Sequence, residues 1–403
     1  MTPIADGVDE SGLAALIKRS SELKHDLVGF AYTPRLRPYL MRRLQEAVDD
    51  DEELDEGEGL GEGEFIEVVD RFVLEGRLPG GKTVLNLFLA SRRDLSAADG
   101  EMVRSWGDFV EGLFENRGMD GDAVIFLNLL DDLEYRVYSN MGPAVLRRLP
   151  KRGFLYVRLV PVRPGTRAWL VSGMMRTFAR SDAAKVAQAA IQLAANAPEW
   201  VFRNPEKVEQ GWKMMREDRA AFVDFFGTDE LVLPPAEAAE RMRAYYRHRQ
   251  ETQLAAQSKR GRPHNIPDLS EVGILPPEME DSDTVGLIYD EVDGLNYYDD
   301  YGMLRDLFAD PGLAADRRYA SVLRGYLASD TIGPLPCRRL VAAYPSTADA
   351  VFRKILRKPT FTWAEHGEAL LRKRKPWYYE SEPRPGISVI GDRLAELIGH
   401  QKA

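Results

Sequence analysis

The stretch FIEVVDRFVLEGRLPGGKT, residues 65–83, decides between two architectures. Its second half, Gly76 to Thr83, spells G-x-x-x-x-G-K-[ST], a string in which backbone amides cradle phosphates, the lysine meets the terminal phosphates and the threonine holds magnesium. That chemistry requires a buried parallel strand leading directly into the glycines. The first half reads otherwise. Phe65, Val68, Val69, Phe72 and Val73 recur at i, i+3, i+4, i+7 and i+8, which is one face of a helix, with Glu67, Asp70 and Arg71 on the other. Arg77-Leu78-Pro79-Gly80-Gly81 then becomes a turn between two helices. The second of these covers roughly Thr83 to Ser91, and a third begins near Ser96, an N-cap residue with Asp99 three positions on.

Downstream the period changes to two. Phe109–Phe114, Ala123–Leu130, Leu133–Tyr138, Phe154–Val160 and Ala168–Met174 read as five short strands, with turns at Asn116-Arg117-Gly118 and Asp131-Asp132. Val124 to Leu130 followed by Asp131 also has the outline of a magnesium-binding strand that would partner Lys82, but the tight turn into Leu133 suits a hairpin better. Five short strands hide their edges by curling into a small barrel of SH3 or oligonucleotide-binding type.

Upstream, Leu13, Leu16, Ile17 and Leu36, Leu40, Leu44 repeat at helical spacing, and residues 49–63, acidic and glycine-rich, are expected to form a disordered loop. Beyond the strands, Ser181–Ala195, Pro205–Phe226 and Pro235–Gln257 read as helices, and Ser258–Pro267 as a linker. The expected fold class is α+β: a mostly helical multi-domain chain with one small five-stranded antiparallel β-barrel-like module. The expected divisions are a helical region at 1–103, the β module at 104–179, a helical region at 180–257, a linker at 258–282 and a helical, basic region at 283–403.

Composition narrows the function classes. The 403 residues are 44% hydrophobic and 29% charged, enough apolar surface for real cores. One cysteine, Cys337, forbids an intrachain disulfide and any cysteine-cluster metal site. His25, His248, His264, His366 and His400 lack metal-ligand spacing, no G-x-S-x-G elbow occurs, and Tyr289–Asp300 lacks the first carboxylate of a calcium loop. No catalytic set, cofactor or metal is expected. Neither a secretory leader nor a membrane span of eighteen or more apolar residues is visible, so the expected location is cytoplasmic, away from membranes.

The formal charge of −10 hides a polarity. Residues 46–64 contain no basic side chain, whereas 317–375 are rich in Arg and Lys. Cys337–Tyr344, the turn Pro345-Ser346-Thr347 and Ala348–Lys358 have the outline of a helix-turn-helix, its second helix bearing Arg353, Lys354, Arg357 and Lys358. Arg372, Lys373, Arg374 and Lys375 then stand directly before Trp377, Tyr378 and Tyr379, a basic cluster beside aromatics such as contacts phosphates and stacks on bases.

Two resemblances follow from quoted residues. Arg260-Gly261-Arg262-Pro263, preceded by Lys259, resembles the AT-hook core, which implies that Arg260 and Arg262 lie in the minor groove of A·T-rich DNA. Residues 72–178, and FVLEGRLPGGKTVLNLFLASRRDLS within them, resemble uncharacterised bacterial proteins that often carry a SEC-C motif. The cysteine cluster of that motif is absent here, so the resemblance implies no zinc site and no activity. The leading expectation is a non-enzymatic protein contacting DNA or RNA through its C-terminal basic face. A nucleotide-binding enzyme using 76–83, and a protein-binding adaptor built around the β module, are the alternatives.

Overall fold

The computed structural model describes residues 10–50, 60–258, 274–380 and 382–399. Helix accounts for 57% and strand for 17%, which places the chain in the mixed α+β class. It divides into two compact units, 1–207 with 388–403, and 208–387.

The first unit opens with five helices, α1 (Glu10–Ala31), α2 (Arg37–Asp49), α3 (Glu62–Glu75), α4 (Val84–Ser91) and α5 (Ala97–Ser105). Leu23, Leu27 and Ala31 of α1, Leu40 of α2 and Val69, Phe72 and Val73 of α3 are buried in one core, as their spacing requires. Pro38 sits in the first turn of α2, where a missing N–H costs nothing. Ser96 caps α5: its hydroxyl accepts from the Asp99 N–H at 3.1 Å. Asp49, at one edge of the expected disordered loop 49–63, ends α2, and Glu62 begins α3; the stretch 51–59 lies outside the described residues.

Five strands follow: β1 (Val110–Asp120), β2 (Ala123–Asn128), β3 (Glu134–Tyr138), and, after the single turn α6 (Pro143–Leu146), β4 (Phe154–Pro161) and β5 (Ala168–Phe178). The pairing order β1-β2-β3-β5-β4 closes on itself, because β4 also pairs with β1. One expectation is corrected here: the sheet is not wholly antiparallel. Arg136–Tyr138 of β3 run parallel to Ala168–Leu170 of β5. Alternation identifies strands but not neighbours, and β4 inserts between β1 and β5. Phe114, Val124, Phe126, Val137, Leu155 and Val157 fill the interior.

A buried charge network fastens α3 to this sheet. Arg158 of β4 donates from Nε to Glu111 of β1 at 2.9 Å and lies 3.4 Å from Asp70 of α3. Asp70 also accepts from the Ser172 hydroxyl at 2.8 Å and pairs with Lys24 of α1 at 2.7 Å. Arg71 and Tyr156 both bond to Glu111. The β4–β5 register shifts at this point, and Gly173, at φ +69, brings the backbone against Asp70 where a Cβ would stand 3.1 Å from the carboxylate. The helix α7 (Ala183–Asn196) follows, and the sequential part of the unit ends at Lys207.

After α8 (Pro205–Phe226), the second unit builds a three-stranded antiparallel sheet from β6 (Glu230–Leu233), β7 (Val285–Asp290) and β8 (Gly294–Asp299), with α9 (Pro235–Ser258) between the first two in sequence. Six helical segments follow: α10 (Tyr301–Ala309), α11 (Arg317–Ala328), α12 (Leu335–Ala343), α13 (Ala348–Leu356), α14 (Trp363–Arg374) and the short α15 (Pro376–Tyr379). They share a core of Leu304, Phe308, Leu323, Leu340, Phe352 and Leu371. The last helix, α16 (Asp392–Gly399), belongs to the first unit, where Leu394 and Leu397 pack with Val186 and Ala190 of α7. No helix among the described residues is long and apolar enough to cross a membrane.

Candidate functional site

The helix-turn-helix outline exists as α12, a turn at Tyr344–Thr347 and α13. One face of α13 is buried through Ala348, Val351, Phe352 and Ile355, and among its other five residues Lys354 is exposed and the rest are half-buried. The Lys354 ammonium donates to the Pro311 carbonyl at 2.9 Å. Arg353 donates from Nε to the Phe361 carbonyl at 2.7 Å and pairs with Asp349 at 3.4 Å. Both cations satisfy this chain's own backbone. Arg357 ends α13 at φ 55, and Arg357 and Lys358 are exposed with no side-chain partner.

The second cluster splits in two. Lys375 is wholly buried, its ammonium 2.7 Å from the Tyr326 carbonyl and 3.0 Å from that of Ser329, so it leaves the set of surface contacts. The cause is local: the end of α11 has carbonyls without intrahelical donors, and an ammonium satisfies two acceptors there. Burial lowers the Lys375 pKa. Arg372, Lys373 and Arg374 instead form the exposed last turn of α14, where cations oppose the negative end of the helix dipole. Lys373 and Arg374 have no side-chain partner, and the Arg372 guanidinium lies 4.4 Å from the Tyr379 ring centre.

The neighbouring aromatics are held in place. The Tyr379 hydroxyl donates to Glu368 at 3.2 Å and accepts from Arg338 at 2.9 Å, while Arg338 grips Glu368 through two bonds of 2.8 Å. The Arg338 hydrogen bonds hold the Glu368 carboxyl below its usual range. Tyr378 donates to Asp293 at 2.9 Å, and burial raises that carboxyl. Trp377, 39% exposed, stands edge-on to Tyr378 with ring centres 5.9 Å apart. Lys373, Arg374 and Trp377 thus offer free cations and an open indole within a single turn of chain.

Gly76–Thr83 follows a helix and forms a closed turn. The Leu78 N–H donates to the Lys82 carbonyl at 2.9 Å, Arg77 bridges Thr83, and the Thr83 hydroxyl accepts from the Asn86 N–H at 3.2 Å as the cap of α4. Val124–Leu130 lies in the β2–β3 hairpin, and Asp131 beyond it is fully buried, accepting from the Tyr135 hydroxyl at 2.6 Å. Burial pushes the Asp131 carboxyl up to about 6. Tyr289–Asp300 is the β7–β8 hairpin and the turn into α10. Arg260 and Arg262 of the AT-hook-like core lie outside the described residues. The Cys337 thiol is buried and pushed up to about 12, which leaves it protonated and inert at neutral pH. Among the described residues no cluster of His, Cys, Asp or Glu could hold a metal ion.

Sequence reasoning missed one feature of the first unit, a cleft of about 1610 Å³ between α1 and the β3–β5 side of the closed sheet. Its walls come from segments far apart in the chain, so no local motif announces it. Comparison with protein-family models, curated proteins and solved structures finds no match to this chain.

Proposed function

We propose that the protein is a non-enzymatic binding protein that contacts nucleic acid through the last turn of α14 and the start of α15. The observation that carries this reading is the group Arg372, Lys373, Arg374 and Trp377: three exposed cations, two of them without partners, beside an indole that is 39% exposed. Unpaired guanidinium and ammonium groups displace counterions from phosphates, and an open aromatic face accepts an unstacked base. Single-stranded RNA or DNA suits this pairing better than a duplex, because Arg353 and Lys354 of α13 are engaged with carbonyls of the chain. Arg357 and Lys358, also free, would add phosphate contacts.

The test is retention of a fluorescent single-stranded oligonucleotide by the full chain. Changing Arg372, Lys373 and Arg374 together to Ser should weaken binding at least about tenfold, and Trp377→Ala alone should weaken it by a few-fold. Arg353→Ala with Lys354→Ala, which disturbs cations already engaged with carbonyls, should leave the affinity of the folded protein unchanged. Equal affinity of the triple variant and the parent chain would overturn the reading.

A further inference from the structure

The cleft of the first unit is larger than the roughly 300–1,000 Å³ that small molecules occupy, at about 1610 Å³. Its floor is aliphatic as much as aromatic, with Leu13, Ile17, Leu133 and Val162 alongside Tyr138 and Trp169. On α1 the cleft-facing residues Ala14, Ile17, Lys18, Ser21 and His25 form a stripe distinct from the buried Leu23, Leu27 and Ala31.

The charges of the walls are unequally engaged. Among the acids, Glu22 is held by Arg19 at 3.0 Å, Asp26 by Arg92 at 2.8 Å and Asp122 by Arg147 at 3.2 Å. Arg136 is committed to Asp120, and Arg203 to Asp108 at 2.8 Å. Lys18, Arg163 and Arg167 have neither an ion pair nor a side-chain hydrogen bond, and Glu134 is the acid left in the same state. Three cations and one carboxylate of the walls are therefore left without a partner.

We infer that this cleft binds a segment of another protein in which acidic side chains alternate with aliphatic ones. Size calls for an extended ligand, the aliphatic floor for aliphatic side chains, and the free cations for carboxylates. A nucleic-acid strand fits less well. The aliphatic part of the floor gives bases little to stack on. The inference concerns different residues from the nucleic-acid reading and stands or falls apart from it.

The experiment is fluorescence anisotropy of the full chain with three probes: a short labelled peptide alternating glutamate and leucine, its lysine–leucine counterpart, and a labelled oligothymidylate. The glutamate–leucine peptide should bind and the lysine–leucine peptide should not. Lys18→Glu, Arg163→Glu and Arg167→Glu combined should weaken the acidic peptide at least about tenfold and create binding of the basic one. These side chains make no ion pair or side-chain hydrogen bond in the fold, and each single reversal should give a partial loss. The serine triple variant of α14 should bind the acidic peptide as the parent chain does. No binding of the acidic peptide, indifference to the reversals, loss with the α14 variant, or competition by oligothymidylate at the cleft would each overturn the inference.

Discussion

The ammonium of Lys375 lies 2.7 Å from the carbonyl oxygen of Tyr326, inside the protein and not on its basic surface. Removing that donor takes a partner from the buried Tyr326 carbonyl and the half-buried one of Ser329, so Lys375→Met should destabilise the second unit by about 1–3 kcal/mol. Lys373→Met should cost less than about 0.5 kcal/mol, since its side chain is exposed and unpartnered. Urea unfolding of the two variants measures the contrast; equal destabilisation would contradict the placement of Lys375.

Arg357 ends α13 in the left-handed region at φ 55, where a side chain costs about 1 kcal/mol that glycine avoids. Arg357→Gly should therefore raise the unfolding free energy by up to about 1 kcal/mol. The same change removes a free cation, so on the nucleic-acid reading stability and affinity move in opposite directions. Thermal unfolding and oligonucleotide titration of the one variant read both.

Arg158 is 5% exposed and bonds to Glu111, Asp70 and Glu75. Breaking a buried pair from one side strands the remaining charges, which typically costs about 3–5 kcal/mol. Arg158→Met should show that loss in urea unfolding at neutral pH. A variant as stable as the parent chain would contradict the network.

Asp131 provides a pH signature. Its carboxyl titrates near 6 in the fold against 3.8 for the ordinary group, so the native state holds the proton more tightly than the unfolded chain. The sign follows from linkage: between about pH 4 and pH 6 this group makes stability fall as pH rises, by roughly 3 kcal/mol in all. Asp131→Asn should lack that component. The difference between parent and variant, measured by urea unfolding across this range, should slope downward; a flat difference would contradict the buried, protonated carboxyl.

Much of the fold was legible because periodicity is local. The helix over Phe65–Val73 lies where it was read, and Ser96 caps α5 through the Asp99 three positions on. All five strands were located, but β1 does not end at Phe114: Asn116-Arg117-Gly118, read as a turn, is a bulge within a strand that pairs with β2 as far as Asp120. Pairing was not legible. The parallel contact of Arg136–Tyr138 with Ala168–Leu170 depends on which strand β4 enters between, and alternation is silent on that. The three-stranded sheet of the second unit was missed for two reasons. Glu230–Leu233 is only four residues long, and the acids around Tyr289–Asp300 obscure strands whose Leu287, Tyr289 and Tyr298 are buried.

The candidate site was legible in composition and not in geometry. The row Arg372 to Lys375 looks uniform, yet a helix end turns three of its members outward and points the fourth at the carbonyls of α11. Likewise Arg353 and Lys354 sit on an amphipathic helix whose outer face is spent on nearby carbonyls, something spacing alone does not disclose. The cleft beside α1 gave no signal, because Lys18, Arg163 and Arg167 come together only after the sheet closes.

Contact of Arg372, Lys373 and Arg374 with phosphates is tested most directly by the salt dependence of oligonucleotide binding. For a single strand the slope of log K against log salt is about −0.7 for each phosphate neutralised, so loss of three cations should flatten it by about 2. That flattening in the serine triple variant, with the Lys354→Ala slope unchanged, is the result expected. Identical slopes for the parent chain and the triple variant would contradict it.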